Sequence, residues 1–414
     1  MIKASIITIG DELLIGQVVD TNSAWIATQL NKIGVRICRR VSVGDNYEDI
    51  WNAIDEEKRN ADIILLTGGL GPTSDDITKP ILCKYFGGKL VVDQEALKNV
   101  KYLFEQVFKR AVTDVNLKQA EVPESCTVIQ NKRGTAPGMW FEKDNLILIS
   151  MPGVPYEMKG ILEEAMLKIK DRFTLPVIMH KTLITSGIGE SAISDKIKDF
   201  ERDLPKHIRL AYLPDYGFVR LRLSSEGFDE KALASEVDEQ FKLLADRVKE
   251  HLVTCRDEPM ETVVGNLLIE RNKSMATAES CTGGYIAHLI TSHDGASRYF
   301  KGSVVCYDNS VKENFLKVPR DLLDQYGAVS AQVVRQMLQG VLINTGSDYG
   351  IAVSGIMGPS GGSPEKTIGT VWIAAGTIKN AQVRKLSLRF DRLKNIQVTA
   401  KLSLDLLRSV ILAD

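Results

Sequence analysis

The residues with the clearest chemical potential lie in the run AESCTGG at positions 278–284, between a predicted strand and a predicted helix. The first N–H groups of a helix have no acceptor within the helix and lie at the positive end of its dipole. They can hold a phosphate or stabilise an oxyanion that develops during acyl transfer, and glycines let a ligand approach the backbone closely. Ser280, at the edge of this turn, is therefore a candidate nucleophile.

A second candidate pair, Tyr307 and Lys312, lies where a predicted strand ends and the next predicted helix begins. An ammonium group lowers the pKa of a nearby phenol, and burial lowers the pKa of a lysine. Either side chain could then accept the proton of Ser280, and the sequence does not decide between them. A glycine-rich loop at 354–362 follows another predicted strand and is suited to closing over a phosphate.

Simpler interpretations compete with this one. Glycine-rich turns of this kind are more often structural than catalytic, and Tyr307 and Lys312 alone would fit a tyrosine at the core edge and a solvated helix residue. Cys281 is a rival nucleophile by adjacency, although no nearby histidine would form its thiolate. A Ser-His-Asp triad is disfavoured because the chain has five histidines and no nucleophile-elbow pattern. His288, in the helix after Ser280, is the remaining histidine candidate.

Another glycine-rich loop, TGGLGPTSDDIT at 67–78, also follows a predicted strand and precedes a predicted helix. Its three glycines with Thr73 and Ser74 could cradle a pyrophosphate, and Asp75 and Asp76 could hold a hard divalent cation. The spacing matches neither a P-loop nor the dinucleotide-binding fingerprint. A purely structural interpretation makes Asp75 a helix N-cap and Asp76 a first-turn partner of the helix dipole.

Composition narrows the function classes. The 414 residues include 52 Lys or Arg against 53 Asp or Glu, a formal net charge of −1. No global field would therefore attract this chain to nucleic acid or to an anionic membrane. The hydrophobic content of 44% is that of a soluble globular protein, and the length predicts two or three domains.

Targeting signals and cysteine usage point to one compartment. The first residues do not form a signal-peptide pattern, and the longest apolar runs, such as Ile63–Leu66, are far shorter than the ~20 residues that span a bilayer. Six cysteines are scattered without zinc-type pairs or a compact disulfide framework. We therefore expect a cytoplasmic protein that does not associate with membranes.

Strands and helices alternate over residues 1–170, which predicts an α/β domain with a mainly parallel sheet and helices on both faces. Residues 171–255 read as a small α+β module that contains a short strand, a hairpin pair of strands and two helices, and residues 256–414 read as a further α/β domain. The predicted strands are 4–9, 35–43, 62–67, 146–151, 182–185, 208–213, 218–224, 274–278, 302–307, 349–353 and 370–375, and the predicted helices are 21–33, 47–59, 156–170, 190–200, 228–251, 262–271, 285–292, 310–316, 331–342 and 393–412.

The C-terminal motifs resemble one family closely. The run AESCTGG, with Tyr307 and Lys312 following at spacings of 27 and 5, and GPSGG at 358–362 followed by GTVW look like the C-terminal family of CinA proteins. The resemblance covers essentially all of 262–412. That family includes nicotinamide mononucleotide deamidases. The resemblance therefore implies hydrolysis of the carboxamide of nicotinamide mononucleotide to a carboxylate, with release of ammonia and without a cofactor.

The same resemblance implies roles for individual residues. Ser280 would be the nucleophile, Tyr307 and Lys312 the proton acceptor and donor, and the turn amides the oxyanion donors. Arg389 or Arg392 would reach the substrate phosphate. The residues expected to contact the substrate are Glu279, Cys281, Thr282, Gly283, Gly284, Gly358, Ser360, Gly361, Gly362 and Arg392.

The N-terminal segment, with TIGDELLIGQVVDTN at 8–22 and PGVPYEM at 152–158, resembles the molybdopterin-binding fold of CinA N-terminal domains. That resemblance implies cleavage of ADP-ribose at its pyrophosphate with Mg or Co, and with K as a further candidate ion. The alternative is pterin or nucleotide binding, as in molybdenum-cofactor enzymes. The expected metal-binding residues are Asp11, Glu12, Asp75 and Asp76, and the expected phosphate-binding residues are Gly68, Gly69, Gly71, Thr73 and Ser74.

The middle segment resembles the KH-type module of CinA proteins. Its run at 186–189 (SGIG) is similar to a GXXG nucleic-acid loop, but Glu190 and Asp195 make its surroundings acidic. A spacer or dimerisation role is therefore favoured over RNA binding. We expect three domains, at 1–170, 171–255 and 256–414, in a homodimer that recycles pyridine nucleotides. The competing hypothesis is a non-catalytic scaffold connected with competence.

Overall fold

The computed structural model describes residues 2–73 and 75–414. The chain forms two compact units. The first contains the residues up to 180 together with 204–209 and 223–242, and the second contains 181–203, 210–222 and 243–414. Residues 177–254 thus contribute to both units. None of the helices in the described part of the chain is long and apolar enough to cross a membrane.

The N-terminal segment is an α/β domain. Its strands are β1 (Lys3–Ile9), β2 (Arg36–Val43), β3 (Ile63–Thr67), β4 (Leu90–Val92), β5 (Glu121–Pro123), β6 (Thr127–Ile129), β7 (Gly138–Lys143) and β8 (Leu146–Met151). Its helices are α1 (Asp11–Leu14), α2 (Thr21–Lys32), α3 (Tyr47–Glu57), α4 (Thr78–Phe86), α5 (Gln94–Tyr102), α6 (Asp114–Leu117) and α7 (Pro155–Arg172), with a π-helical turn at Leu103–Val107 and a 3-10 turn at Lys118–Ala120.

Six of these strands form one sheet in the order β2–β1–β3–β8–β7–β6. The first four are parallel, and β7 and β6 are antiparallel additions. Neighbouring residues of a strand point to opposite faces, so Ile6 packs with Ile26 and Leu162 on one face while Ile7 packs with Ile54 on the other. Both faces are covered, as expected for parallel strands that are apolar along their whole length.

The middle segment, residues 177–254, is an α+β module with more strands than the sequence predicts. Its strands are β9 (Val177–Ser186), β10 (Arg209–Asp215), β11 (Phe218–Gly227) and β12 (Leu252–Thr254), in the sheet order β10–β11–β9–β12. Its helices are α8 (Glu190–Lys196), α9 (Lys198–Asp203) and α10 (Glu230–Arg247), followed by a 3-10 turn at Lys249–His251. The single helix predicted at 190–200 is broken at Ile197, whose backbone leaves the helical region.

The C-terminal segment is a second α/β domain. Its strands are β13 (Met275–Glu279), β14 (Phe300–Val305), β15 (Tyr349–Gly355), β16 (Thr370–Gly376) and β17 (Ala381–Ser387). Its helices are α11 (Met260–Glu270), α12 (Tyr285–Thr291), α13 (Asn309–Leu316), α14 (Arg320–Tyr326), α15 (Ala331–Thr345) and α16 (Arg392–Ala413), with a 3-10 turn at Ala296–Arg298.

The C-terminal sheet has the order β14–β13–β15–β16–β17, with β14, β13 and β15 parallel and the other two strands antiparallel. The apolar residues of α11, α12 and α16 cover one face, and those of α13, α14 and α15 cover the other. Glu279 is in register with both Val305 and Val353. The three parallel strands therefore end at the same edge, where α/β sheets commonly bind ligands.

Candidate functional site

The candidate active site is a cavity of about 270 Å³ at the carboxyl edge of the C-terminal sheet. Loops that follow β13, β14 and β15 reach it, together with the first residue of α16. Ser280, Tyr307 and Lys312 all line this cavity, so the structure brings together the three residues proposed for catalysis. The other lining residues are Cys281, Asn309, Ala328, Val329, Ser354, Gly355, Ile356, Met357, Ser360, Gly361 and Arg392.

Ser280 follows β13 directly, and only 9% of its surface is exposed. Its N–H donates to the carbonyl of Val353 at 3.0 Å, which ties the turn to the neighbouring strand. The N–H groups of Cys281, Thr282 and Gly284 have no protein acceptor within residues 2–73 and 75–414. They are the backbone donors that the turn can offer to an oxyanion next to Ser280.

Glu279 does not contact the cavity, contrary to the expectation that it binds substrate. Its side chain is fully buried. One carboxylate oxygen accepts from the Thr282 hydroxyl at 2.7 Å and from Ile286 N at 3.0 Å, and the other accepts from Ala287 N at 2.9 Å. The carboxylate therefore satisfies the first N–H groups of α12. The positive end of this helix is already occupied by a side chain of the protein, and Glu279 holds the serine turn in place.

Lys312 is 1% exposed although it carries an amine. Its Nζ donates to the carbonyl of Cys306 at 2.8 Å and to the carbonyl of Tyr307 at 3.1 Å. Burial lowers the pKa of Lys312 below its usual value, because the charged form is poorly solvated there. The lowered pKa increases the fraction of Lys312 that is neutral at a given pH. A lysine must be neutral to act as a base.

Tyr307 lies at the rim of the cavity with 62% of its surface exposed. Its phenol oxygen accepts a hydrogen bond from Arg392 Nη2 at 2.9 Å, and Arg392 Nη1 donates to the carbonyl of Gly358 at 2.8 Å. Arg392 thus links Tyr307 to the glycine-rich loop and keeps further N–H donors for a ligand. Arg389, the other arginine considered for the phosphate, is not a lining residue of this cavity.

No direct hydrogen bond joins the Ser280 hydroxyl to Tyr307 or Lys312 in the described part of the chain. The cavity has room for a bridging group, since one water occupies about 30 Å³ of liquid volume. A proton that moves from Ser280 to Lys312 in this arrangement would pass through a water molecule or through the substrate.

The glycines of the two loops shape the backbone rather than the cavity wall. Gly283, Gly284 and Gly358 have φ values of 61°, 94° and 84°, in the left-handed region that favours glycine. Gly361 has a φ of 92° and does line the cavity, next to Ser360. Gly283, Gly284 and Gly358 do not line the cavity, although they were expected to contact the substrate.

Two further expected contacts are also absent from the lining. The side chain of Thr282 is directed to Glu279. A Cβ at Gly362 would lie 3.0 Å from the backbone nitrogen of Ile368, so this glycine permits close packing of the loop.

The rival nucleophile and the remaining histidine are both poorly placed. Cys281 is 6% exposed, and burial raises the pKa of its thiol to about 12. A thiol with that pKa forms almost no thiolate at neutral pH. His288 is exposed on α12 and does not line the cavity. The geometry therefore favours Ser280 over a cysteine or a histidine-based system.

Several site residues are missing from the sequence prediction. Ser354 lies one residue before the end of β15 and donates to the carbonyl of Ala328 at 2.7 Å. The rule that ligands bind at the carboxyl ends of parallel strands could have indicated it. Asn395 is fully buried and donates to the carbonyl of Met357 at 3.0 Å. No sequence signal indicated Asn395, because its partner lies 38 positions away.

The N-terminal loop at 67–78 is closed by its own side chains. One oxygen of Asp76 accepts from Gly71 N at 2.7 Å, and the other accepts from the N–H and the hydroxyl of Thr73 at 2.9 and 2.6 Å. Asp76 therefore bonds to its own loop in this structure, and its role as a metal ligand stays a prediction. Ser74, expected to bind phosphate, lies outside the described residues.

A cluster of acidic residues gathers at the carboxyl edge of the N-terminal sheet. Asp11 N donates to Asp45 Oδ2 at 3.0 Å, and Asp45 N donates to Asp11 Oδ1 at 3.3 Å. Burial raises the pKa of Asp45, and the negative charges of Asp11, Glu12 and Asp75 raise it further. Asp45 was absent from the predicted set. Among the described residues, no three His, Cys, Asp or Glu side chains are grouped to hold a metal, so the expected four-carboxylate cage is not formed.

Comparisons with known proteins cover the whole chain. Three family models match: the CinA C-terminal domain over 257–411, the damage-inducible protein CinA KH domain over 180–254, and the probable molybdopterin binding domain over 5–172. The chain is also similar to a solved structure of the protein CinA with unknown function from Thermoplasma acidophilum. That structure is 36% identical, with 40% of this chain and 97% of that chain covered and a TM-score of 0.38.

Curated relatives extend the match from end to end. A CinA-like protein from Cytophaga hutchinsonii is 45% identical over 408 residues, which are 98% of this chain and 97% of the relative. A CinA-like protein from Flavobacterium psychrophilum is 43% identical over 412 residues, which are 99% of both chains. With these matches and its three successive domains, the chain belongs to the CinA family.

Proposed function

We propose that the C-terminal domain hydrolyses the carboxamide of nicotinamide mononucleotide, which leaves a carboxylate and releases ammonia. One observation carries the proposal: Ser280 shares a cavity with the buried amine of Lys312, beside a turn that offers unused backbone N–H groups. A nucleophile, a base and oxyanion donors are the parts that acyl transfer needs. No cofactor enters this chemistry.

The reaction follows from the positions of these groups. Ser280 Oγ attacks the amide carbon while the neutral form of Lys312, which burial favours, receives the serine proton through a bridging water. The negative charge that forms on the amide oxygen is stabilised by the N–H groups of Cys281, Thr282 and Gly284. Collapse of this intermediate breaks the C–N bond, and the proton returns to the leaving nitrogen to give ammonia. Water then hydrolyses the ester of Ser280 and restores the hydroxyl.

The opposite wall of the cavity suits the phosphate of the substrate. Arg392 donates two of its N–H groups, to Tyr307 and to Gly358. A guanidinium has five N–H groups in total. The remaining donors, with Ser360 and Gly361 of the neighbouring loop, can bind a phosphate by charge-assisted hydrogen bonds. Tyr307 is held by Arg392 and lines the same cavity as Ser280.

The test of this function is ammonia release by the purified full-length chain, with nicotinamide mononucleotide compared to nicotinamide riboside, which has no phosphate. We expect release from the mononucleotide and a value of kcat/KM lower by roughly 10- to 100-fold for the riboside, since each charge-assisted hydrogen bond contributes about 1.5–3 kcal/mol. The measurement is a coupled ammonia assay under initial-rate conditions. Folded protein that releases no ammonia from the mononucleotide would instead support the scaffold hypothesis.

A second candidate function concerns the N-terminal domain, for which we propose cleavage of ADP-ribose at its pyrophosphate. The observation in its favour is the crowding of negative charge that raises the pKa of Asp45. Mg²⁺ in such enzymes is often held by only one or two carboxylates together with the substrate phosphates. Asp45 and Asp75 fit that role better than a four-carboxylate cage. A divalent ion held there would neutralise the pyrophosphate.

For the N-terminal domain, we expect Asp45→Asn and Asp75→Asn each to lower AMP formation from ADP-ribose by roughly tenfold or more in the presence of Mg²⁺ or Co²⁺. The same changes should weaken the rise in melting temperature that Co²⁺ and ADP-ribose produce together. Asp76→Asn is the matched comparison, because Asp76 bonds to its own loop. Full activity of both Asp45→Asn and Asp75→Asn would exclude this assignment, and a loss confined to Asp76→Asn would restore the original metal set.

A further inference from the structure

The tip of the hairpin between β10 and β11 contacts the beginning of α16. The ring of Tyr216 meets the ring of Phe390 edge to face, with centroids 4.6 Å apart. Lys394 Nζ lies 3.8 Å from the centroid of the same tyrosine ring, a cation–π contact. Asp215 Oδ2 accepts a hydrogen bond from Lys401 Nζ at 2.6 Å. The hairpin tip therefore holds the first turns of α16 through an aromatic pair, a cation–π contact and an ion pair.

A second contact holds α16 further along its length. The hydroxyl of Ser186, at the end of β9, donates to Asp405 Oδ2 at 2.7 Å. Asp405 also forms an ion pair with Arg408 at 2.8 Å, and both side chains are only 11% exposed. The middle segment thus contacts α16 at two places several turns apart, which fixes the position of the helix along its axis as well as its tilt.

The backbone of Tyr216 is in an unfavourable conformation. Its φ of 37° lies in the left-handed region, where residues other than glycine are uncommon and bulky ones are outliers. Tyr216 and Gly217 are the two residues between β10 and β11, and Gly217 also has a positive φ, of 85°, as a two-residue hairpin turn of the I′ type requires. The turn therefore accounts for the positive φ, and from it the tyrosine ring contacts Phe390 and Lys394.

Phe390, which the ring of Tyr216 contacts, belongs to a segment that leads directly into the candidate active site. Phe390 is two positions before Arg392, the residue that bonds to Tyr307 and to Gly358. Asn395 makes the segment rigid, since its Oδ1 accepts from Phe390 N at 3.2 Å and its Nδ2 donates to Phe390 O at 2.9 Å. The same amide bonds to the carbonyl of Met357 in the cavity wall. A shift of Phe390 would therefore displace Arg392.

We propose that Tyr216 is a positioning residue of the deamidase site, through which the middle domain holds Arg392 in the place where it binds the substrate phosphate. This inference rests on the proposed amide hydrolysis and gives the middle domain a role in it. The middle domain then stabilises the active site of the same chain. Removal of the ring leaves Arg392 free to move and weakens its contact with the substrate.

The test compares Tyr216→Ala with Tyr216→Phe in the full-length chain. The phenylalanine keeps both ring contacts and is the matched control. We expect Tyr216→Ala to raise KM for nicotinamide mononucleotide by roughly tenfold, since small misplacements of a binding group have effects of this order. The value of kcat should change by less than about threefold, because the groups around Ser280 stay in place. Tyr216→Phe should behave as the wild-type chain.

A double-mutant cycle separates positioning from a general loss of stability. In the Arg392→Ala background, Tyr216→Ala should have no further effect on KM, since the residue that it positions is gone. Multiplicative effects of the two changes, or an unchanged KM in Tyr216→Ala, would overturn the proposal. Lys394→Met, which removes only the cation–π contact, should give a smaller rise in KM and serves as the second variant if Tyr216→Ala folds poorly.

Hydrogen exchange gives a readout that does not depend on turnover. In the ligand-free chain, Tyr216→Ala should speed amide exchange at 388–396 relative to both the wild type and Tyr216→Phe. If the wild-type chain releases no ammonia but exchange changes in this way, the proposed reaction fails, while the stabilisation of residues 388–396 by Tyr216 stands. If exchange and KM are both unchanged in an active enzyme, the positioning role fails and the proposed reaction stands.

Discussion

Replacement of Ser280 by alanine is expected to lower the rate of ammonia release from nicotinamide mononucleotide by about 10⁴-fold or more, since loss of a nucleophile has effects of this order or larger in enzymes that form an acyl intermediate. The fold should be unchanged, because the turn is held by Glu279 and by the backbone bond to Val353. Binding should also persist, since the proposed phosphate contacts lie on the opposite wall of the cavity.

The measurement pairs single-turnover ammonia release with the dissociation constant of the substrate. Cys281→Ala is the matched control, being the adjacent residue with a thiol whose pKa burial raises to about 12. We expect Cys281→Ala to keep its rate within a few-fold of the wild type. The reverse pattern, an active Ser280→Ala and an inactive Cys281→Ala, would show that the thiol is the nucleophile.

Replacement of Lys312 is expected to have the next largest effect, a loss of roughly 10²- to 10⁴-fold in kcat/KM, which is typical for removal of a general base. Lys312→Met removes the amine. Lys312→Arg keeps a cation that can bond to the carbonyls of Cys306 and Tyr307 but that does not deprotonate in proteins. Both variants should therefore lose activity, and the arginine variant should keep the folded structure. Lys385→Met, at an exposed position of β17, is the control.

The pH dependence identifies the base. A lysine acts as a base in its neutral form, so the wild-type kcat/KM should rise with pH and level off above the pKa of Lys312. Burial lowers that pKa from its usual value of 10.5, so the plateau should begin below pH 10.5. Lys312→Arg should lose this rise. If Lys312→Arg instead keeps the wild-type rate and profile while Tyr307→Phe loses them, the phenol is the base.

The elements with strong periodicity could be predicted from the sequence. Helix α2 is predicted at 21–33 and found at Thr21–Lys32, where Asp20 caps it through a bond from Ser23 N. The buried strands β1, β3 and β13 were equally clear. Much of the stretch from 78 to 145 was not predicted. Its strands β4, β5 and β6 have three residues each, too few for a period of two to be visible.

The candidate site, like the fold, could be predicted from the sequence only in part. Ser280 and Tyr307 lie just after the ends of β13 and β14, and Lys312 lies in the helix that follows β14. Parallel strands bring such positions to one edge of the sheet. The role of Glu279 could not be predicted from the sequence. Its carboxylate accepts hydrogen bonds from backbone N–H groups of α12, which come near it only when the turn is folded. Asp45 was missed for a related reason. The pKa of Asp45 is raised first by burial and then by the charges of Asp11, Glu12 and Asp75, which lie on other segments of the chain.

The buried carboxylate of Glu279 also limits how a substrate can enter. A helix start usually attracts phosphate, but here it already carries a negative group of the protein, which would repel a second one. A mononucleotide is therefore expected to be oriented by its own charge as it approaches. Its phosphate dianion would face the guanidinium of Arg392, and its uncharged carboxamide would face the hydroxyl of Ser280.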